Sequence, residues 1–209
     1  RERSDSHVLV FLKKISLVTN FNLYDIGCGI GFWMDTYHRF GISKKQIVAL
    51  DLAVENVEGL RRKGYSAVEG SVLELPFADE LADNVICQGV IHHVHNYKKA
   101  FGEIVRILRK EGNLYISVYN KWHPYFYLAH KMTFPIRFIY WNYTKKILDV
   151  IYPFFYILFQ TMTRITMGKF LDKKSCRTLI MDQVITPRAH LFGKLEINKL
   201  AKDFNCTVE

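Results

Sequence analysis

The chain has 209 residues, of which 49% are hydrophobic, and this content supports a single domain with a sizeable core. Its formal net charge is +9, from 29 Lys and Arg against 20 Asp and Glu. No signal peptide is visible, and no apolar run reaches the roughly 20 residues needed to span a bilayer. Four widely spaced cysteines favour a reducing compartment, so we expect a cytoplasmic location.

A strand, a glycine-rich turn and a helix are predicted in succession near the N-terminus. An amphipathic helix over Val8–Val18 precedes a strand at Leu23–Asp25, and glycines follow at positions 27, 29 and 31. Closely spaced glycines bring bare backbone up to a ligand, and a helix over Phe32–Phe40 adds unpaired N–H groups. The dinucleotide fingerprint G-x-G-x-x-G places its third glycine one residue later. The spacing here therefore predicts a ligand without a pyrophosphate.

An acidic residue closes the second predicted strand. Ile47–Leu50 is a short apolar run that ends in Asp51, 20 residues after Gly31. A carboxylate at this point of a βαβ unit accepts hydrogen bonds from ribose hydroxyls. The alternative is a solvated loop residue or a cap of the helix predicted over Val54–Lys63. The combined spacing and strand context favour the ribose contact.

Alternating strands and helices continue along the chain. Strands are predicted at Ala67–Val68, Asn84–Gln88 and Leu114–Val118, and an amphipathic helix is predicted over Tyr97–Arg109. This alternation predicts an α/β fold with a Rossmann-like parallel sheet and helices on both faces. The ligand of such a sheet binds outside the carboxyl ends of the strands, where the strand order reverses.

Five motifs in this order resemble the class I S-adenosylmethionine (SAM)-dependent methyltransferases. Besides the glycine turn and Asp51, the likeness is carried by Gly70–Phe77, by Asn84–Val94 and by Phe101–Leu114. Together these motifs cover about residues 21–120. The quinone- and sterol-type small-molecule branch of the family is favoured over its protein methyltransferases by the turn at His92 and His93 and by Leu75–Phe77.

The resemblance implies SAM as the cofactor and assigns contacts to it by position. In the family the glycine turn cradles the methionine part, the acid after strand two holds the ribose, and residues after strand three flank adenine. This chain has Ser71 where the family commonly has an acid, which weakens the expected adenine contact. The implied cofactor-binding residues are Asp25, Gly27, Cys28, Gly29, Gly31, Asp51, Leu52, Ser71, Val72 and Gln88.

Histidines follow the fourth predicted strand, close to where the methyl group is expected. His93, ahead of His92, is the candidate general base for an oxygen acceptor, and a role in capping or turn packing is the alternative. His-His-x-His is a weak metal signature, so we predict no metal site. Candidate acceptor contacts follow strand five or lie in a late predicted loop at 181–190; they are Tyr119, Asn120, Asp182 and His190.

A basic and aromatic segment follows the fifth strand. Residues 121–194 hold twelve Lys and Arg against three Asp and no Glu, together with 16 of the 30 aromatic residues. The apolar run Ile147–Gln160 is interrupted by Pro153, which predicts two helices or a kink. Three interpretations stay open: a lid over an apolar acceptor pocket, contact with an anionic membrane surface, and RNA binding by stacking and phosphate contacts.

These observations predict a SAM-binding Rossmann-like core over 1–120, an aromatic basic helical insertion or lid over 121–193, and a return to the core over 194–209 with truncated C-terminal strands. We expect methyl transfer to a small or lipid-like organic acceptor, at oxygen or carbon. A tRNA-modifying methyltransferase and a non-catalytic SAM-binding module are the alternatives. Peripheral contact with the inner membrane surface accompanies the first expectation, and nucleic acid is the less favoured partner.

Overall fold

The computed structural model describes residues 2–17, 20–123, 131–167, 170, 173–186 and 189–209. They divide into two compact units, one formed by residues 2–118 and 194–209 and the other by 119–193. Among the described residues, no helix is long and apolar enough to cross a membrane.

The first unit is built on a five-stranded parallel sheet with helices around it, as predicted. Its strands are β1 (Leu23–Ile26), β2 (Ile47–Asp51), β3 (Ser66–Glu69), β4 (Ala82–Gln88) and β5 (Leu108–Ser117). They pair in the order β3-β2-β1-β4-β5, and every pairing is parallel. The chain runs outward from β1 to β3 and then returns to β4 on the other side of β1. The strand order therefore reverses at the boundary between β1 and β4, where ligands of such sheets bind.

Helices of the first unit alternate with these strands. They are α1 (Glu2–Ser16), α2 (Met34–Arg39), α3 (Val54–Arg62), α4 (Tyr97–Ile107) and α8 (Lys194–Asp203), with 3-10 turns at Lys44–Gln46 and Ile91–His93. Apolar side chains of α1, α2 and α3 share one core with the central strands; its most buried members include Leu12, Ile15, Leu23, Tyr37, Ile47, Leu60 and Ile86. This burial at helical and strand periodicity is what the sequence pattern predicts.

The boundary between α4 and β5 differs from the prediction. The helix ends at Ile107, two residues before the predicted Arg109, and the strand already begins at Leu108. Between the pairs Ala82–Leu108 and Asn84–Asn113, β4 advances by two residues and β5 by five. Glu111 in this irregular stretch has a φ of +61°. Sheet pairing at Leu108 therefore overrides the helical periodicity that local sequence favours.

The second unit is helical in its described parts. It contains α5 (Phe134–Asn142), α6 (Ile147–Met167), α7 (Lys173–Ile180) and a π-helical turn at Met181–Ile185. Of the two outcomes predicted at Pro153, the division into two helices is wrong, because Pro153 lies inside the single 21-residue helix α6. The predicted loop over 181–190 is in part helical, and residues 187 and 188 lie outside the described residues. Asn120 and Phe192 form a parallel bridge that joins the two ends of this unit.

The core of the second unit lies between α6, α7 and the π-helical turn. Its buried members are Leu148, Phe155, Phe159, Cys176, Ile180, Val184 and Ile185. Trp141 of α5 is attached to the same turn, because its indole Nε1 donates to the carbonyl oxygen of Ile185 at 2.7 Å. These contacts give the unit an apolar core of its own.

Candidate functional site

Each glycine of the turn after β1 has a positive φ, but the space around the three differs. A Cβ on Gly27 would lie 2.3 Å from Cγ2 of Val90, and one on Gly31 would lie 2.5 Å from Cδ2 of Leu60. A Cβ on Gly29 would meet nothing within 4 Å. Gly27 and Gly31 are therefore required by the protein's own packing, whereas Gly29 leaves open space beside its backbone. A ligand has room to approach the chain at Gly29.

Backbone hydrogen bonds fix this turn against the end of β2. The N–H groups of Gly27 and Cys28 both donate to the carbonyl oxygen of Leu50, at 2.7 and 3.0 Å. Helix α2 begins only at Met34, not at the predicted Phe32, and has six residues. The amides of the turn are thus largely engaged within the protein. Free amides at the N-terminus of α2 therefore contribute less to ligand binding than the sequence predicts.

Asp51 lies at the carboxyl end of β2 and its carboxylate is held by three donors. Gly29 N–H donates to Oδ2 at 2.7 Å, and Ala53 N–H and the Asn56 side-chain amide donate to Oδ1 at 2.9 and 3.0 Å. A carboxylate offers about four lone-pair positions, so acceptor capacity remains beside Gly29. The side chain of the adjacent Leu52 is exposed. Asn56 was not found from the sequence, because an amide five residues beyond an acid carries no motif.

Asp25 lies beneath the glycine turn and is only 4% exposed. The hydroxyl of the fully buried Tyr37 donates to its Oδ2 at 2.9 Å. Burial raises the pKa of Asp25 from 3.8 to about 7; the Tyr37 hydrogen bond opposes this rise and the charge of Asp51 adds to it. Burial, together with both carboxylates, also raises the pKa of the Cys28 thiol. Cys28 therefore stays protonated near neutral pH and is not an activated nucleophile.

The segment after β3, expected beside adenine, is attached to α4. Ser71 Oγ accepts a hydrogen bond from Leu73 N–H at 3.2 Å, and Val72 is buried. The Arg106 guanidinium donates to the carbonyl oxygens of Phe77 and Leu75 at 2.9 and 3.1 Å. It also pairs with Glu103, whose carboxylate accepts from Leu75 N–H. These α4 residues position the segment, and no sequence motif marked them.

Gln88 and the two histidines lie at and beyond the end of β4. Oε1 of Gln88 is buried, and in the described part of the chain it has no hydrogen-bond partner. His92 is fully buried and His93 is half-buried, with their ring centroids 4.1 Å apart in the 3-10 turn. A ligand hydrogen bond at Gln88 would satisfy an acceptor that is otherwise costly to bury.

The predicted acceptor contacts belong to the second unit. Three of them surround the pairing at Phe192: the carbonyl oxygen of Tyr119 accepts from Phe192 N–H, Asn120 forms the bridge, and the His190 ring lies edge-on to Phe192 at 4.5 Å. Asp182 lies in the π-helical turn, and its side chain lies outside the described part. Among the described residues, no group of three or more His, Cys, Asp or Glu could hold a metal ion.

The residues at the β1–β4 boundary fit a nucleoside carrying an amino-acid tail. The open space at Gly29 admits close approach, Asp51 retains acceptor capacity for sugar hydroxyls, and Gln88 supplies an unsatisfied acceptor for an amino group. All three lie at the carboxyl ends of adjacent strands of one sheet. The arrangement therefore suits SAM in both its sugar and its methionine portions.

Comparison with known proteins gives the same interpretation. The family described as "Methyltransferase domain" matches residues 24–116. A demethylmenaquinone methyltransferase of Thermobifida fusca is 29% identical over 103 residues, covering 46% of this chain and 42% of its own. A probable tRNA methyltransferase 9B of Homo sapiens is 36% identical over 98 residues, covering 46% of this chain and 20% of its own.

A solved SAM-dependent methyltransferase of Thermotoga maritima, described as a possible histamine N-methyltransferase, shares the fold. It is 15% identical with a TM-score of 0.52, covering 98% of this chain and 77% of its own. The chain spans about half the length, or less, of the curated relatives it matches, including an uncharacterised protein of Methanocaldococcus jannaschii that is 33% identical over 114 residues. The matched domain, the parallel sheet and the geometry of the glycine turn together identify residues 24–116 as a methyltransferase domain of the class I SAM-dependent type.

Proposed function

We propose that the protein transfers the methyl group of SAM to a small or lipid-like organic acceptor, at oxygen or carbon. The observation that carries this proposal is the glycine turn closed onto Asp51, with its Gly29 N–H to Oδ2 distance of 2.7 Å and open space beside Gly29. When bound, SAM supplies a methyl group on a sulfonium, which is already a strong electrophile. The protein then has chiefly to align the acceptor and exclude water, and alignment alone can lower the barrier by about 7–11 kcal/mol.

Cofactor binding is divided among the strands in this proposal. Asp51, with Leu52 beside it, accepts from the ribose hydroxyls, Ser71 and Val72 flank adenine, and Gln88 Oε1 accepts from the amino group of the methionine portion. Asp25, Gly27, Cys28 and Gly31 shape the turn from below, because Asp25 and Cys28 are buried and the two glycines are packed against Val90 and Leu60. The Ser71 hydroxyl already accepts a hydrogen bond from Leu73 N–H. The adenine amino group is therefore expected to rely on backbone acceptors more than on Ser71.

A general base is needed where the acceptor is a hydroxyl. His93 is the better candidate because it is half-buried, whereas the His92 ring is enclosed by the protein and can at most orient its neighbour. Replacement of His93 by alanine is expected to lower turnover on a hydroxyl acceptor by 10²–10⁴-fold, roughly the contribution of a positioned base. Full turnover by this variant would exclude the role.

The acceptor class is supported by the relatives. Their names include demethylmenaquinone methyltransferase and ubiquinone biosynthesis O-methyltransferase, both of which point to lipid-like ring acceptors. Residues 121–193 are proposed as the acceptor-binding part, with Tyr119, Asn120, Asp182 and His190 as contacts. We place the protein in the cytoplasm, with peripheral contact to the inner membrane surface.

A tRNA-modifying methyltransferase is the second candidate, since one similar protein carries that name at 36% identity. A non-catalytic SAM-binding module is the third, motivated by Ser71 at the position of the family's acid. The three differ in where a radiolabelled methyl group from SAM appears after incubation with a lipid extract and tRNA. Label in the organic phase supports our proposal, label in precipitated tRNA supports the second candidate, and tight SAM binding without transfer supports the third.

Binding to the cofactor itself is tested by calorimetric titration. We expect S-adenosylhomocysteine and SAM to bind and NAD to bind far more weakly, because the glycine spacing does not serve a pyrophosphate. Tighter binding of NAD would remove the methyltransferase proposal.

A further inference from the structure

Helix α6 has two apolar faces, of which only one is used by the protein core. Its buried face carries Leu148, Phe155 and Phe159. On the opposite side lies an exposed stripe, in which the large apolar side chains are 40–78% exposed; it consists of Val150, Phe154, Ile157, Leu158 and Ile165. With about 100° between successive helix residues, these positions fall in one sector about 100° wide.

Polar groups along this stripe are either satisfied within the helix or lie off its centre. Thr161 falls within the same sector. Its hydroxyl donates to the carbonyl oxygen of Ile157 at 2.9 Å, so this donor is already hydrogen-bonded within the helix. The exposed Asp149 lies about 130° from the centre of the stripe. Apart from Thr161, the exposed side chains of this sector are therefore apolar over four turns, which is unusual for a surface that faces water.

Cations flank the stripe. Lys145 and Lys146 are exposed immediately before α6, and Arg164 is exposed at the edge of the sector, with its guanidinium 5.5 Å from the Phe170 ring centroid. The surrounding segment 121–194 carries twelve basic residues against three acidic ones. An apolar stripe bordered by lysine and arginine is the pattern of a helix that lies in the headgroup region of an anionic bilayer.

Aromatic side chains of α5 add to this pattern. Phe134, Phe138 and Trp141 recur at helical spacing and are all substantially exposed, although the Trp141 indole nitrogen is bound to the Ile185 carbonyl. Tyr143, which follows the helix, is also exposed. Trp and Tyr are enriched at membrane interfaces because their rings are apolar while their N–H and O–H groups remain hydrogen-bonded.

We propose that the exposed face of α6, defined by Val150, Phe154, Ile157, Leu158 and Ile165, docks onto an anionic lipid surface. A second copy of the chain is a poorer occupant, because it would bring an equally basic segment against the first. The aliphatic members of the stripe offer little to nucleic acid, whose phosphates require cations and whose bases require stacking. The inference rests on the membrane contact in our proposed function and names the face that makes it, but it does not depend on methyl transfer.

The test is flotation of the full chain with vesicles in about 150 mM salt. One vesicle type is phosphatidylcholine alone, and the other is phosphatidylcholine with phosphatidylglycerol in a roughly 7:3 ratio. We expect the protein to float with the anionic vesicles and to bind neutral ones much more weakly. A wild-type chain that does not float with anionic vesicles would overturn the proposal.

Three variants locate the contact. Phe154→Ser with Ile157→Ser should weaken vesicle binding at least tenfold. Lys145→Gln with Lys146→Gln should weaken binding to anionic vesicles by about 30-fold, at about fivefold per lysine. The matched control is Leu195→Ser, which removes an 86% exposed leucine from α8 of the first unit and should leave vesicle binding unchanged.

Two further readouts separate the outcomes. A wild-type dimer that Phe154→Ser with Ile157→Ser converts to monomer, without an effect on flotation, would show that the face joins copies of the chain and would overturn the proposal. Gel shifts with tRNA that require Phe154 and Ile157, in the absence of flotation, would do the same. Because SAM binding is measured separately, vesicle binding by a chain that does not bind SAM would refute the proposed function and leave this inference standing.

Discussion

Replacement of Asp51 by alanine removes the acceptor on which the turn after β1 closes. Three donors lose their partner, namely the Gly29 and Ala53 amides and the Asn56 side chain, at 2.7, 2.9 and 3.0 Å. In our proposal the same carboxylate accepts from ribose hydroxyls, and hydrogen bonds to a charged group contribute about 1.5–3 kcal/mol. The expected rise in the SAM dissociation constant is therefore roughly 10- to 150-fold.

The assay is calorimetric titration with S-adenosylhomocysteine, paired with urea unfolding of each variant. Asn56→Ala is the matched control, because it removes one of the three donors and leaves the carboxylate; it should cost less than about tenfold in affinity. The unfolding data separate a loosened turn from a lost ligand contact. If Asp51→Ala binds within twofold of the wild type at equal stability, the ribose assignment is wrong and Asp51 serves only the turn.

Three further outcomes are expected. Gly29→Ala and Gly41→Ala both place a side chain at a positive φ with nothing within 4 Å, so each should lower the free energy of unfolding by about 1–2 kcal/mol. Only Gly29→Ala should weaken SAM binding tenfold or more in calorimetry. Equal losses of SAM affinity in the two variants would contradict ligand approach at Gly29. The folded protein keeps a proton on Asp25 up to pH about 7 and the unfolded chain only up to about 3.8, so the free energy of unfolding should fall as pH rises through this window. In urea titrations from pH 4 to 8, Asp25→Asn should remove up to about 4 kcal/mol of that fall. An unchanged pH dependence in this variant would show that Asp25 is not its cause. Arg106→Lys keeps the charge but loses the hydrogen bonds to the Leu75 and Phe77 carbonyls. It should therefore lower the free energy of unfolding by about 1–2 kcal/mol and SAM affinity severalfold. Unchanged SAM affinity would mean that the segment after β3 does not need Arg106 to hold it in place for SAM binding.

Much of the sheet could be predicted from the sequence because strand and helix periods alternate clearly there. The apolar run before Gly27 and the run ending in Asp51 became β1 and β2, and they pair in register with Asp25 opposite Ala49. The predicted ends were less accurate where two structures compete for the same residues. Leu108 continues the helical pattern of α4, but its pairing with Ala82 assigns it to β5.

Partners that are distant in sequence were beyond sequence reasoning. The hydrogen bond from Gly29 to Asp51 spans 22 residues, and that from Arg106 to Phe77 spans 29. Neither follows from spacing, because each depends on how a loop returns to the sheet. Pro153 shows the same limit for helices. The sequence indicates two helices or a kink, yet α6 is a single helix whose Phe155 and Phe159 pack into the core of the second unit.

The bridge between Asn120 and Phe192 has a consequence for how this chain can diversify. Because Asn120 and Phe192, each one residue inside an end of the second unit, are bridge partners, the two ends of the 73-residue segment 120–192 lie next to each other. Loop-closure entropy rises only slowly with length, so a shorter, longer or unrelated segment can replace this one at little thermodynamic cost. In our proposal this segment binds the acceptor, so exchange at this junction would fit one nucleoside-binding scaffold to many acceptors.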